Sequence, residues 1–255
     1  RTAFASDAPM AVQLSDVHKS YRVRGNEVQA LKCVDLDLYR GEVLGIVGES
    51  GSGKTTILRQ VCGMETPEAG DVRLKGKCQF IFQDAYASFD PRMTIRQSLY
   101  ESIRNAAKRD GKPAQRGSRV PEYDGRIRTY LEQVGLPEEL LDRFPSRLSG
   151  GQCQRMAIAR ALVGDPEVLL CDEITSALDV TAQREVVELL VRLQKELDLS
   201  ILFVSHDLAL VHSFCDRILV LKNGEVVTCG DAAAVIRNAE EPYTKQLLDS
   251  VLSVR

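Results

Sequence analysis

The chain has 255 residues, 44% of them hydrophobic and 27% charged. This globular composition excludes wholesale disorder and leaves room for one large or two small domains. Its 33 basic and 36 acidic residues give a formal net charge of −3, which argues against nucleic acid as the default partner. No apolar run approaches the ~18 residues that a membrane-spanning helix needs. Residues 1–10 lack the apolar stretch of a signal peptide and are expected to form a flexible tail, with the body running over 11–255. Seven cysteines without a C-x-x-C pair fit a reducing, cytoplasmic setting. His212 and Cys215 form a lone H-x-x-C, short of a zinc ligand set.

Along the chain, period-two alternation in 12–17 and 34–39 predicts an antiparallel opening with one solvated face. Residues 42–47 read as a buried strand, followed by a glycine-rich turn and a helix over 54–62. A further strand is expected at 79–82. The stretch 92–147 is mostly helical in pattern, broken at Gly111-Lys112-Pro113 and again at 117–121, and reads as a helical insertion. Its cations Lys108, Arg109, Lys112, Arg116 and Arg119 read as a solvated face. A helix follows residues 148–152 and runs to about Val163. Buried strands at 168–171 and 200–204 alternate with helices, which implies a parallel, covered sheet. Lys222-Asn223-Gly224-Glu225 reads as a hairpin turn.

Three motifs carry chemistry. Gly48-Glu49-Ser50-Gly51-Ser52-Gly53-Lys54-Thr55, followed by Thr56, matches G-x-x-x-x-G-K-[ST] between a strand and a helix, the context of a phosphate-binding loop. Its glycines let backbone N–H groups face phosphate oxygens at a helix N-terminus. Lys54 would bridge the β- and γ-phosphates, and Thr55 would hold Mg²⁺. Second, Asp172 and Glu173 end a buried apolar run. Asp172 can join the Mg²⁺ shell while Glu173 polarises an attacking water. Third, Leu148-Ser149-Gly150-Gly151-Gln152 opens a helix, either as an ordinary serine cap or as a second anion-binding helix start.

In this order the motifs resemble the nucleotide-binding subunits of ABC transporters, from Val12 to about Leu248. The resemblance implies an α/β fold with a P-loop ABC-type mixed central sheet, an N-terminal antiparallel β-subdomain and an inserted α-helical subdomain. The implied layout is an antiparallel and Walker A part over 11–91, a helical subdomain over 92–150, a Walker B part over 151–240 and a C-terminal helix over 241–255. It also implies ATP and Mg²⁺ as cofactors. Residues 148–152 resemble the signature motif, Gln83 the metal- and water-sensing Q-loop, Ser176-Ala177-Leu178-Asp179 the D-loop, His206 the γ-phosphate-sensing switch histidine, and Tyr21 the adenine-stacking position. Two such domains would meet head to tail, Ser149 and Gly151 of each gripping the ATP held by the other.

Within the family, residues 82–84 with 87–94, residues 176–180 and Glu241-Pro242-Tyr243-Thr244 look most like peptide and nickel importer ATPases. Ile174 and Ala85 stand where proline is usual, and the 72–77 link is short. These departures leave nickel or metal-chelate import open beside peptide import. No cysteine follows Tyr243, so the iron–sulfur cluster of some related subunits is not expected. The resemblance implies a peripheral subunit on the cytoplasmic face of the inner membrane. Its partners would be a second, different ATPase chain, integral-membrane permeases and, indirectly, an extracellular solute-binding protein. The permease is expected to dock on 84–93 through Ala85, Tyr86, Phe89 and Met93. The competing reading is a soluble ABC-type ATPase of a non-transport enzyme complex.

Overall fold

Fourteen residues of alternating polarity, Met10–Val23, form strand β1 and pair antiparallel with β2, Asn26–Tyr39. In this computed structural model, which describes residues 9–23, 25–113, 115, 117, 120–237 and 241–252, both strands are longer than the alternation predicts. Met10 already pairs with Tyr39, one residue before the expected start of the body. The register places Val12 opposite Leu38, Leu14 opposite Leu36 and Val17 opposite Val34, so one face of the pair is fully buried. The remaining elements are β3 (Val43–Val47), α1 (Lys54–Val61), β4 (Ala69–Leu74), β5 (Cys78–Ile81), α2 (Ile95–Arg109), α3 (Pro121–Val134), α4 (Gly150–Leu162), β6 (Val168–Asp172), α5 (Val180–Glu196), β7 (Ser200–Ser205), α6 (Leu208–Phe214), β8 (Arg217–Lys222), β9 (Glu225–Asp231), α7 (Ala232–Arg237) and α8 (Pro242–Leu252).

The chain divides into two compact units. The first comprises Arg1–Phe80, Glu167–Glu173 and Gln194–Arg255; the second comprises Ile81–Pro166 and Ile174–Leu193. The first holds a three-stranded sheet of order β2-β1-β4, and its strands build the larger sheet of order β5-β6-β7-β3-β8-β9. Within that sheet β6, β7, β3 and β8 run parallel, and β9 returns antiparallel to β8. The sheet is therefore mixed, as the family resemblance implies. Every residue of β3, β6 and β7 is buried, which is why these strands are continuous apolar runs rather than alternating ones. Asn223 and Gly224 both have positive φ, 50° and 82°, the conformation of the expected tight hairpin turn between β8 and β9.

The second unit carries the helical insertion. Thr94 caps α2 through a capping box with Gln97, and α3 starts on Pro121 and ends at Gly135 in the left-handed region, as capping chemistry favours. Short 3₁₀ turns over Glu138–Asp142 and Pro145–Arg147 lead to α4. Of the cations assigned to a solvated face, Arg116 and Arg119 lie outside the described residues; Lys108, at the end of α2, is half-buried, whereas Arg109 and Lys112 are exposed.

In the first unit, Gly45 of β3 sits against α6: a Cβ there would lie 2.1 Å from Val211 Cγ1 and 3.0 Å from Cys215 Sγ. Gly45→Ala is expected to lower stability by about 1–3 kcal/mol through overpacking. Adding Val211→Ala should recover part of that loss, a coupling that a thermal-denaturation double-mutant cycle measures.

Candidate functional site

Parallel register brings three strand ends to one edge of the larger sheet. Val47 pairs with Ser205 and Asp172 with Val204, so the residues that follow, Gly48, His206 and Glu173, leave the sheet side by side at its carboxyl edge. This is where open α/β sheets form their binding crevices.

The loop after β3 is shaped by glycine. A Cβ on Gly48 would lie 2.1 Å from the Leu221 carbonyl oxygen, and one on Gly53, at φ 108°, would lie 2.4 Å from that of Ala30. Gly51, at φ 80°, has open space around it, so its backbone conformation, not packing, calls for glycine. Gly53 precedes α1 and offers no side-chain cap, which leaves the first N–H groups of the helix for an anion. Ser52 Oγ is buried without a partner. Ser50 is exposed, and Thr56, at 8% exposure, is buried in α1.

Lys54 is 5% exposed. Its ammonium donates to the carbonyl oxygens of Gly48 (2.8 Å) and Glu49 (2.9 Å) and lies 3.8 Å from Glu173 Oε1. Burial pulls its pKa below the usual lysine range, opposed by the charges of Glu173 and Asp172. Thr55 Oγ1 donates to Asp172 Oδ1 at 3.0 Å. Burial raises the Asp172 pKa, with that hydrogen bond opposing the rise. Glu173 has φ 46°, and its N–H donates to the Val204 carbonyl at 3.1 Å. Its Oε2 lies 3.4 Å from His206 Nδ1, on a largely exposed ring. Lys54, Thr55, Asp172, Glu173 and His206 thus form one cluster. A hydroxyl and a carboxylate oxygen 3.0 Å apart form an oxygen-only donor pair that suits a hard divalent cation.

Tyr21 is half-buried in β1. Its hydroxyl donates to Glu65 and lies 3.4 Å from Thr56 Oγ1, and Lys19 Nζ lies 5.7 Å from the ring centroid. Burial and the Glu65 carboxylate raise its pKa. Glu65 is a partner that the sequence reading did not name, because nothing local links it to β1.

In the second unit, Ser149 is the N-cap of α4. Its side chain accepts the Gln152 N–H at 3.3 Å, and Gln152 Oε1 accepts the Ser149 N–H at 3.1 Å. A Cβ on Gly150 or Gly151 would meet nothing within 4 Å. Gln83 is exposed, and its Nε2 donates to Ser176 Oγ at 3.3 Å. Asp179 is exposed and accepts the Ala182 N–H at 2.9 Å.

The docking surface expected on 84–93 needs correction. Ala85 is 7% and Phe89 3% exposed, whereas Tyr86 is 42% exposed and Met93 half-buried. Phe89 is covered because Arg160 lies over its ring, 4.1 Å from the centroid, while the same guanidinium donates to Ser88 O and Oγ. The Tyr86 hydroxyl donates to the Leu148 carbonyl, directly before Ser149. Of the four residues, Tyr86 presents the exposed apolar face.

The family model for ABC transporters matches residues 31–176, a span that includes the phosphate loop, Gln83, residues 148–152 and the Asp172-Glu173 pair. The chain belongs to the ABC transporter family. It is 41% identical over 242 residues to the oligopeptide transport ATP-binding protein OppF of Escherichia coli, the match covering 88% of this chain and 70% of the relative. It is 39% identical over 240 residues to OppF of Haemophilus influenzae, with the same coverage of each. The dimeric post-hydrolysis structure of the ATP-binding cassette MJ0796, bound to ADP and phosphate, superposes with a TM-score of 0.75 at 30% identity, covering 87% of this chain and 98% of that one. The protein is an ABC-type ATPase, and its cassette binds ATP.

Proposed function

We propose that this ABC cassette is the ATP-hydrolysing subunit of a peptide importer and works on the cytoplasmic face of the inner membrane. Two copies of the fold, this chain and a second ATPase subunit, would close head to tail on ATP and drive integral-membrane permeases fed by an extracellular solute-binding protein. The observation that carries the reading is the identity of about 40% with OppF proteins in a chain that keeps every reacting group on adjacent strand ends. Nickel or metal-chelate import, open from the sequence, gains no comparable support from these relatives.

In this reading the glycine-shaped loop of residues 48–53 offers its N–H groups to the phosphates, and Lys54 exchanges its carbonyl partners for phosphate oxygens. Thr55 and Asp172 hold Mg²⁺, joined by Gln83. Magnesium, when bound, neutralises charge developing on the phosphate oxygens. Glu173 orients and deprotonates the attacking water, and His206, next to it, senses the γ-phosphate. Tyr21 stacks on adenine. Ser149, Gly150, Gly151 and Gln152 face the nucleotide of the opposing cassette, and Asp179 lies at that interface. The open space around Gly150 and Gly151 supports this assignment, because nothing in their own chain needs the missing side chains.

Co-purification from detergent-solubilised membranes tests the whole reading. Integral-membrane partners and peptide uptake by the reconstituted complex are expected; recovery of soluble partners alone would replace it with a soluble enzyme-complex ATPase. Glu173→Gln should retain ATP binding while turnover falls about 10²- to 10⁴-fold, and single-turnover hydrolysis near the native rate would remove Glu173 from its role. Gly151→Ala should leave the melting temperature of the isolated chain unchanged or slightly raised, since alanine favours helix over glycine by up to ~1 kcal/mol. Its ATPase activity in the assembled complex should drop, and a native rate there would contradict the interfacial assignment. Tyr86→Glu should impair assembly with the permeases while ATP affinity of the isolated chain stays native; normal assembly in a pull-down would move the docking surface elsewhere.

A further inference from the structure

The tetrapeptide Glu241-Pro242-Tyr243-Thr244 has no part in the chemistry above, yet its tyrosine reaches the phosphate loop. Tyr243 is 2% exposed, and its hydroxyl accepts the N–H of Glu49 at 3.0 Å. The start of α8 is fixed on its own account: Glu241 Oε2 accepts the Thr244 N–H at 2.8 Å, and Thr244, 1% exposed, sets its hydroxyl 3.5 Å from that of Thr228 on β9. Lys222 Nζ lies over the Tyr243 ring, 4.3 Å from its centroid. Two residues later, the Gly224 N–H donates to the Ser52 carbonyl at 3.0 Å. The loop is therefore held from the C-terminal part of the chain at both Glu49 and Ser52.

The peptide plane explains why the hydroxyl matters. The Glu49 N–H and the Gly48 C=O belong to one planar trans unit and point in opposite directions. Tyr243 takes the N–H, and the Gly48 carbonyl on the other side accepts Lys54 Nζ at 2.8 Å. Orienting the first orients the second. A phenylalanine would fill the same buried space, but it would leave the Glu49 N–H without this acceptor.

We infer that Tyr243 is a positioning residue for nucleotide binding: its hydroxyl sets the Gly48–Glu49 peptide plane and, through it, the direction in which Lys54 meets the phosphates. This inference rests on the reading of 48–55 as the nucleotide site. It gives the C-terminal tetrapeptide a role within the cassette, distinct from docking to other subunits.

The test compares ATP affinity of the purified chain, and KM and kcat of the assembled ATPase, for Tyr243→Phe, Thr244→Val and Lys54→Ala. Tyr243→Phe is expected to raise both the ATP Kd and the KM roughly two- to tenfold, the loss of one hydrogen bond, with kcat close to native. Thr244→Val loosens the same helix start without touching the loop and should leave KM native. Lys54→Ala should abolish or strongly weaken ATP binding. Native Kd and KM in Tyr243→Phe, or an equal rise in Thr244→Val, overturns the positioning role. Undiminished ATP binding in Lys54→Ala instead overturns the nucleotide site itself, so the two failures are told apart.

Discussion

The site depends on the parallel register of β6, β7 and β3. Neighbouring strands lie about 4.8 Å apart, so residues that follow paired positions must emerge as neighbours. With Val47 opposite Ser205 and Asp172 opposite Val204, the phosphate loop, the carboxylate pair and the histidine converge without any long connection. A slip of one residue would turn the side chains of a whole strand to the other face, and the complete burial of all three strands makes such a slip costly. The apolar core thus fixes the relative placement of groups that do not belong to it.

Burial also sets the electrostatic state of the cluster. Lys54 and Asp172 are both displaced toward their neutral forms by desolvation, and each is drawn back by its neighbours, Lys54 by two carboxylates and Asp172 by the Thr55 hydroxyl. The resting site satisfies itself: the ammonium rests on two loop carbonyls and the threonine on the aspartate. A bound phosphate or cation must replace these contacts with stronger, charge-assisted ones. Glu173 differs. Its backbone occupies the left-handed region at φ 46°, a conformation that costs a non-glycine residue of order 1–3 kcal/mol and that sets its carboxylate between Lys54 and His206.

The elements legible in the sequence are those whose signal is local. Continuous apolar runs mark β3, β6 and β7, the glycine pattern marks the phosphate loop, and Asn223-Gly224 marks the β8–β9 turn. Strand β4 was not anticipated, because Ala69–Leu74 is mostly exposed and its only recorded ladder is with β1; an edge strand of this kind has little hydrophobic pattern to read. The length of β2 was missed for a similar reason, since its first four residues are exposed. Phe89 was misread as surface because the cation that covers it, Arg160, lies 71 positions further along the chain. Tyr243 was noted as part of a motif, but its target, the Glu49 amide, is a backbone group that no side-chain pattern announces.

The signature segment shows how structure separates a structural cap from a functional one. Helices α2 and α4 open identically, each with a capping box: Thr94 with Gln97 in one, Ser149 with Gln152 in the other. Hydrogen bonding alone gives no reason to assign them different roles. The next two positions do. After Thr94 come Ile95 and Arg96, 0% and 6% exposed, and Arg96 holds Asp124 at 2.6 Å and Asp142 at 3.0 Å. These side chains tie α2 into its own unit. After Ser149 come two glycines with room for a side chain and no contact that would use one. Glycine weakens a helix start relative to alanine, so a purely structural cap would gain from filling that space. What two glycines provide instead is bare backbone N–H at a helix N-terminus, open to close approach by an anion from outside the chain.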